Sequence, residues 1–100
     1  MNTIYLQTRS WITDTLGIPG HSTYIIERKI EAGTTLLNVL SDLAKGYAEF
    51  KRMIFNPETG KINDQILIII NQNLVKFNQV KDTPLKDKDV IDLAPVYFGG

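Results

Sequence analysis

Two glycines, Gly99 and Gly100, close the sequence directly behind Val96-Tyr97-Phe98, and they are the residues with the clearest potential for chemistry. Neither has a Cβ, so their backbone fits a channel too narrow for any other residue. A carboxylate on Gly100 is an acyl group at the tip of an arm, suited to presentation in another protein's active site. The competing reading is a glycine pair without chemistry. Other reactive candidates are few. The sequence has no cysteine, which excludes disulfides, thiolate metal sites and cysteine nucleophiles. Any sulfur carried by this chain therefore cannot ride on a side-chain thiol. His21 is the single histidine and lies in the turn-rich stretch Gly17-Ile18-Pro19-Gly20-His21-Ser22. It reads as a solvated loop residue, because no second histidine completes a metal site or a triad. No G-x-x-x-x-G-K-[ST] loop and no dinucleotide-binding glycine fingerprint occurs, so no bound cofactor or metal is expected.

Composition narrows the rest. One hundred residues, 43% of them hydrophobic, make one domain with a modest core. Eleven basic residues balance 11 acidic ones, and no basic stripe interleaved with aromatics points to nucleic acid. No apolar run approaches the ~18 residues of a membrane span. Met1-Asn2-Thr3 lacks the positive region of a secretion signal, and a cytoplasmic location is expected.

The elements that must position the glycine arm are legible from periodicity. Thr3 to Arg9 alternates, with Ile4 and Leu6 on one face and Tyr5 and Gln7 on the other, which predicts a strand. Ser10 to Leu16 predicts one helical turn that brings Trp11, Ile12 and Leu16 together, with Trp11 capping the core. A loop over 17–21 leads to a second strand, Ser22 to Ile30, antiparallel to the first. Thr34 and Thr35 are candidate caps of a helix whose apolar stripe is Leu36, Val39, Leu40, Leu43 and Tyr47. Gly46 is expected to end it in a left-handed conformation. Tyr47, Phe50, Met53 and Ile54 continue as a shorter helix, and Asn56-Pro57-Glu58-Thr59-Gly60 is a turn. Gln65 to Ile70 predicts a strand with apolar side chains on both faces. One face covers the helix; on the other, Leu67 and Ile69, or else Ile66, Ile68 and Ile70, stay partly exposed for a partner. Asn71-Gln72-Asn73 is a tight turn, Leu74 to Phe77 a short strand, Lys86 to Asp89 a solvated tip, and Val90 to Leu93 the last strand. The order implies a small mixed sheet of about five strands wrapped on one main helix, an α+β fold. Residues 1–95 form the domain and 96–100 a C-terminal arm.

Four motifs in this order resemble the ubiquitin-like β-grasp sulfur carriers of the MoaD and ThiS type, and above all the small subunit of molybdopterin synthase. Glu31-Ala32-Gly33-Thr34-Thr35-Leu36 is similar to the family's entry into its helix. Asn71-Gln72-Asn73 stands where the family often has Asn-Gly. Asp82-Thr83-Pro84-Leu85-Lys86-Asp87-Lys88-Asp89-Val90 is similar to its turn before the last strand, and Pro95-Val96 with Gly99-Gly100 resembles its tail. Three positions depart from the pattern. Lys88 replaces a glycine, at a cost of roughly 1 kcal/mol if the position is left-handed. Tyr97-Phe98 replaces smaller residues.

The resemblance implies a β-grasp domain that is not itself an enzyme. It implies a partner adenylating enzyme of the ubiquitin-activating type, which uses ATP to convert the Gly100 carboxylate into an acyl-adenylate. A persulfide sulfur then displaces AMP and leaves a thiocarboxylate on Gly100. Gly99 gives access to the narrow channel. Val96, Tyr97 and Phe98 anchor the arm in the partner by apolar burial, and Leu67 and Ile69 add contacts from the sheet. The sulfur acceptor is a molybdopterin synthase large subunit or another acceptor enzyme. Alternatives are carriage for thiamine, tRNA thiolation or cysteine synthesis, a role as a ubiquitin-like modifier, and an interaction module without terminal chemistry.

Overall fold

A computed structural model describes residues 2–9, 11–18, 23–63 and 65–95. In chain order these form β1 (Asn2–Thr8), α1 (Trp11–Asp14), β2 (Tyr24–Ile30), α2 (Leu36–Gly46), α3 (Ala48–Ile54), β3 (Ile66–Ile70), β4 (Asn73–Val75), a 3-10 helix (Phe77–Asp82) and β5 (Val90–Pro95). The strands make one sheet in the order β2-β1-β5-β3-β4. β1 pairs antiparallel with β2 and parallel with β5, while β3 pairs antiparallel with both β4 and β5. The last strand in sequence is therefore central in space.

Period-two alternation sets the two sheet faces. Ile4, Leu6, Thr8, Ile66, Ile68, Ile70, Ile91 and Leu93 all point inward and are buried. Leu36, Val39, Leu40 and Leu43 of α2 join them in one core, with Phe50, Met53 and Ile54 of α3. A buried hydroxyl pair, Thr8 Oγ1 with Thr13 Oγ1 at 2.9 Å, ties α1 to the inner face.

α2 starts where the sequence placed a cap. The Thr35 side chain accepts from the Asn38 backbone N–H at 3.2 Å, and the Asn38 carbonyl Oδ1 accepts from Thr35 N–H at 3.0 Å. Two otherwise unpaired donors are satisfied reciprocally. Gly33 precedes this cap at φ +88, a turn geometry that glycine tolerates without strain. The segment 83–85 then straps the start of the helix: Leu36 N–H donates to the Thr83 carbonyl and Leu85 N–H to the Thr34 carbonyl, both at 2.8 Å.

Several expectations are corrected. Gly46 is the last residue of α2 and is not left-handed; Tyr47 follows at φ −139 and leads into α3. That extended residue breaks the helical phase, so Tyr47 leaves the apolar stripe and stands 39% exposed, while Ala44 is buried instead. Trp11 does not cap the core. It is 37% exposed, and only Ile12 and Leu16 enter, because a single turn of helix points just one face inward. β4 ends at Val75, and Phe77 begins a 3-10 helix rather than ending a strand; Val80 from that helix fills the core. Asp89 is no part of a solvated tip: it is buried. The loop residues Pro19 to Ser22, His21 among them, lie outside the described residues.

Candidate functional site

The outer face of the sheet is built from the residues that alternate with the core. The pairing register places Leu67 beside Ala94, Ile69 beside both Asp92 and Leu74, and Tyr5 beside Val90. Leu67 and Ile69 are half-buried, Val90 is 40% exposed and Leu74 is 63% exposed. The sequence offered two alternatives for the exposed set of β3. The structure selects Leu67 and Ile69, since Ile66, Ile68 and Ile70 all turn inward. Leu67 lies next to the root of the arm, because its partner Ala94 is followed by Pro95, the last described residue. Val96, Tyr97, Phe98, Gly99 and Gly100 lie outside the described residues.

One charge pair crosses this apolar face. Arg9 Nε donates to both carboxylate oxygens of Asp92 at 3.0 Å, and Arg9 Nη2 donates to Asp92 Oδ2 at 2.9 Å. These hydrogen bonds, with the charge of Asp92, hold the Arg9 guanidinium above its ordinary pKa. The pair is solvent-accessible, so its effect on stability is small. Its chemical effect is local: Asp92 is neutralised in the middle of an apolar strip. Arg9, Ile69, Asn71, Gln72, Val90 and Asp92 together line a shallow hollow on this face. Sequence reading missed the pair because its members are 83 positions apart. The alternation Val90-Ile91-Asp92-Leu93-Ala94 nonetheless carried half of the signal, by placing Asp92 on the same face as Val90 and Ala94.

The rim of this face is fixed by two turns. Asn71 at φ +50 and Gln72 at φ +74 form the two-residue link between β3 and β4, the backbone of a type I′ hairpin turn. Lys88 stands at φ +70, so the position that the resemblance marks as glycine is left-handed here too. The two turns are welded together. Asn71 Nδ2 donates to Asp89 Oδ1 at 2.8 Å, Val90 N–H donates to Asn71 Oδ1 at 2.9 Å, and Lys86 N–H donates to Asp89 Oδ2 at 2.8 Å. Lys88 N–H donates to the Thr3 carbonyl at 2.6 Å, which anchors the same corner to β1.

Among the described residues no cluster of histidine, cysteine or carboxylate side chains could hold a metal. No helix there is long and apolar enough to cross a membrane. What the surface offers is contact: an apolar strip with a paired charge at its centre, leading to the strand end from which the arm continues.

The model of the ThiS family matches residues 19–100. This chain belongs to that family, the ThiS and MoaD type of ubiquitin-like sulfur carriers. The family match runs over the helix entry, both turns and the arm. No protein of curated function matches the sequence. Among solved structures, small archaeal modifier protein 1 from Haloferax volcanii is similar over 99% of this chain and 100% of that one, at 15% identity and a TM-score of 0.76. A putative molybdopterin converting factor subunit 1 from Pyrococcus furiosus covers 97% of this chain and 100% of its own, at 17% identity and a TM-score of 0.71. A chain of the BexX/CysO complex from Amycolatopsis orientalis covers 97% and 99%, at 22% identity and a TM-score of 0.68. These structures share the fold of this chain, the ubiquitin-like β-grasp that the motif order implied.

Proposed function

We propose that this family member works through the carboxylate of Gly100 as a sulfur carrier. A partner adenylating enzyme binds ATP, and a Gly100 carboxylate oxygen attacks the α-phosphorus with release of pyrophosphate. The acyl-adenylate has AMP, a good leaving group, in place of oxide. A persulfide sulfur attacks the carbonyl carbon and expels AMP, and a thiol cleaves the S–S bond of the resulting acyl disulfide to leave the thiocarboxylate. Gly99 lets the arm through a narrow channel, while Val96, Tyr97 and Phe98 bury apolar area in the partner, worth ~25 cal/mol per Å² removed from water. Catalysis lies with the partners, and ATP is theirs to bind.

The observation that carries this reading is the family match extending through Gly99-Gly100 in a chain without cysteine. The outer sheet face supports it: Leu67 and Ile69 form an apolar strip that leads to the root of the arm, where the adenylating enzyme or the acceptor would dock. For the acceptor we favour a molybdopterin synthase large subunit, supported by the likeness to the Pyrococcus converting factor. A second reading, a modifier joined to lysines of other proteins, is favoured by the likeness to the archaeal modifier.

Incubation with the cognate adenylating enzyme, ATP and a sulfur donor should raise the mass by about 16 Da, one oxygen exchanged for sulfur. Deletion of Gly99 and Gly100 should abolish ATP–pyrophosphate exchange while moving the urea midpoint by less than ~0.5 kcal/mol of stability. An unchanged mass with a demonstrably active enzyme counts for a module without terminal chemistry. Isopeptide-linked products in place of the mass gain count for the modifier.

A further inference from the structure

The sheet has two edges of unequal character. β4 is three residues long, but β2 is seven, and its outer edge faces no other strand among the described residues. Short, charged or covered edges are the usual protection against pairing with another chain. β2 carries charges but is neither short nor covered: Tyr24 is 41% exposed and Ile25 is 56% exposed. Its charges also lack partners. Glu27, Arg28 and Lys29, with Glu31 and Asp42 beside them, make no ion pair among the described residues.

From this edge we infer that β2 pairs antiparallel with β2 of a second copy, in the register centred on Arg28. Residues directly opposite in an antiparallel pair share a face, so a symmetric pairing must be centred on a residue and not between two. That leaves few registers. Centring on Glu27 sets Glu27 against itself. Centring on Ile26 gives neither Glu27 nor Lys29 an opposite charge across the pair. Only centring on Arg28 sets Glu27 of each copy against Lys29 of the other, twice, on the outer face, and Ile26 against Ile30 on the inner face. Opposite charges and apolar pairs placed this way stabilise a ladder, and like charges placed so destabilise it.

The Arg28 side chains meet at the centre of this register, on the inner face. There the hollow between β2 and α2 is lined by Arg28, Lys29, Ile30, Glu31, Asn38 and Asp42. Glu31 and Asp42 offset the two cations of each hollow, so the Arg28 pair does not meet an uncompensated positive patch. The two-fold axis is normal to the sheet, so both outer faces lie on the same side and both arm roots remain open. The interface is small, and a weak, concentration-dependent dimer is expected.

The test is the association state of the full chain, by sedimentation equilibrium from micromolar to millimolar at low salt. Wild type should dimerise, with amides of residues 24–30 shifting in NMR spectra as concentration rises. Glu27→Lys and Lys29→Glu should each weaken the dimer about tenfold or more, because both cross-pairs become repulsive. An equimolar mixture of the two variants should form a heterodimer, since each then supplies the charge that the other lacks. The double variant E27K/K29E should dimerise like wild type. Thermal melting by circular dichroism checks that every variant is folded. A chain that stays monomeric at millimolar concentration overturns the inference. So does a dimer indifferent to both reversals, which would place the contact on another surface, or a mixture that fails to associate.

Discussion

The two faces of one sheet are made from the same strands and nearly the same side chains, yet they end in opposite states. On the inner face Ile66, Ile68 and Ile70 are buried, and on the outer face their neighbours Leu67 and Ile69 are half-exposed. Composition does not distinguish them. The difference is the helical layer: α2 and α3 supply Leu36, Leu40, Leu43, Phe50 and Ile54 to one side only. An apolar strand face that no helix covers adds little to the core, and such exposed patches commonly mark protein interfaces. On the proposed function, folding and recognition are divided across a layer one strand thick.

The largest test of that division is Leu40→Ala. Leu40 is fully buried under the inner face, and its truncation should cost ~2–5 kcal/mol in urea unfolding. Activity per folded molecule with the adenylating enzyme should be kept. A cost below about 1 kcal/mol would mean that the core collapses around the vacancy, and that the inner face is not as closely packed as it looks.

At the rim, Asn71→Ala should cost ~1–3 kcal/mol, because it strips a hydrogen bond from buried Asp89 and another from the Val90 N–H. Here the two faces share one support, so both stability and partner binding should fall. Lys88→Gly should raise stability by ~1 kcal/mol, by relieving a left-handed lysine at φ +70. A loss of stability instead would show that the lysine side chain contributes something its exposed position does not suggest.

The smallest folding effect is expected on the outer face. Leu67→Ser with Ile69→Ser should shift the unfolding free energy by roughly 0.5 kcal/mol per site or less. The same pair should weaken the complex with the adenylating enzyme measurably by calorimetry. Unfolding on the scale of Leu40→Ala would erase the distinction between the faces.

Much of this division was legible in the sequence. Ile4 and Leu6 alternate with Tyr5 and Gln7, and Leu36, Val39, Leu40 and Leu43 keep helical spacing, so the inner core could be read from periodicity. The exposure of one face of β3 followed from counting helices. What periodicity does not carry is phase across a break. Tyr47 fits the stripe of α2 by number but follows the end of that helix, where an extended backbone resets the direction of every later side chain. Nor does it carry partners distant in sequence. Asp89 reads as one more charge in Lys86-Asp87-Lys88-Asp89, and only the fold brings Asn71 and the Lys86 N–H to it. Of the outer face, Leu67 and Ile69 were one of two sets that the pattern of β3 left open, while the Arg9–Asp92 pair needed the parallel contact of β1 with β5.

That parallel contact has a consequence for synthesis. β1 with β2, and β3 with β4, are pairings between strands consecutive in sequence, but no strand joins the two hairpins until β5 slots between β1 and β3. A nascent chain that has emerged only as far as residue 89 holds two halves with no shared sheet, and a ribosome product cut short there should be proteolysed rather than stored. Closure couples ends of the chain more than 80 residues apart, a long-range step expected to limit the folding rate. Any molecule that has folded has therefore already placed the strand that leads to the arm, so the cell has few folded carriers from which that strand is missing.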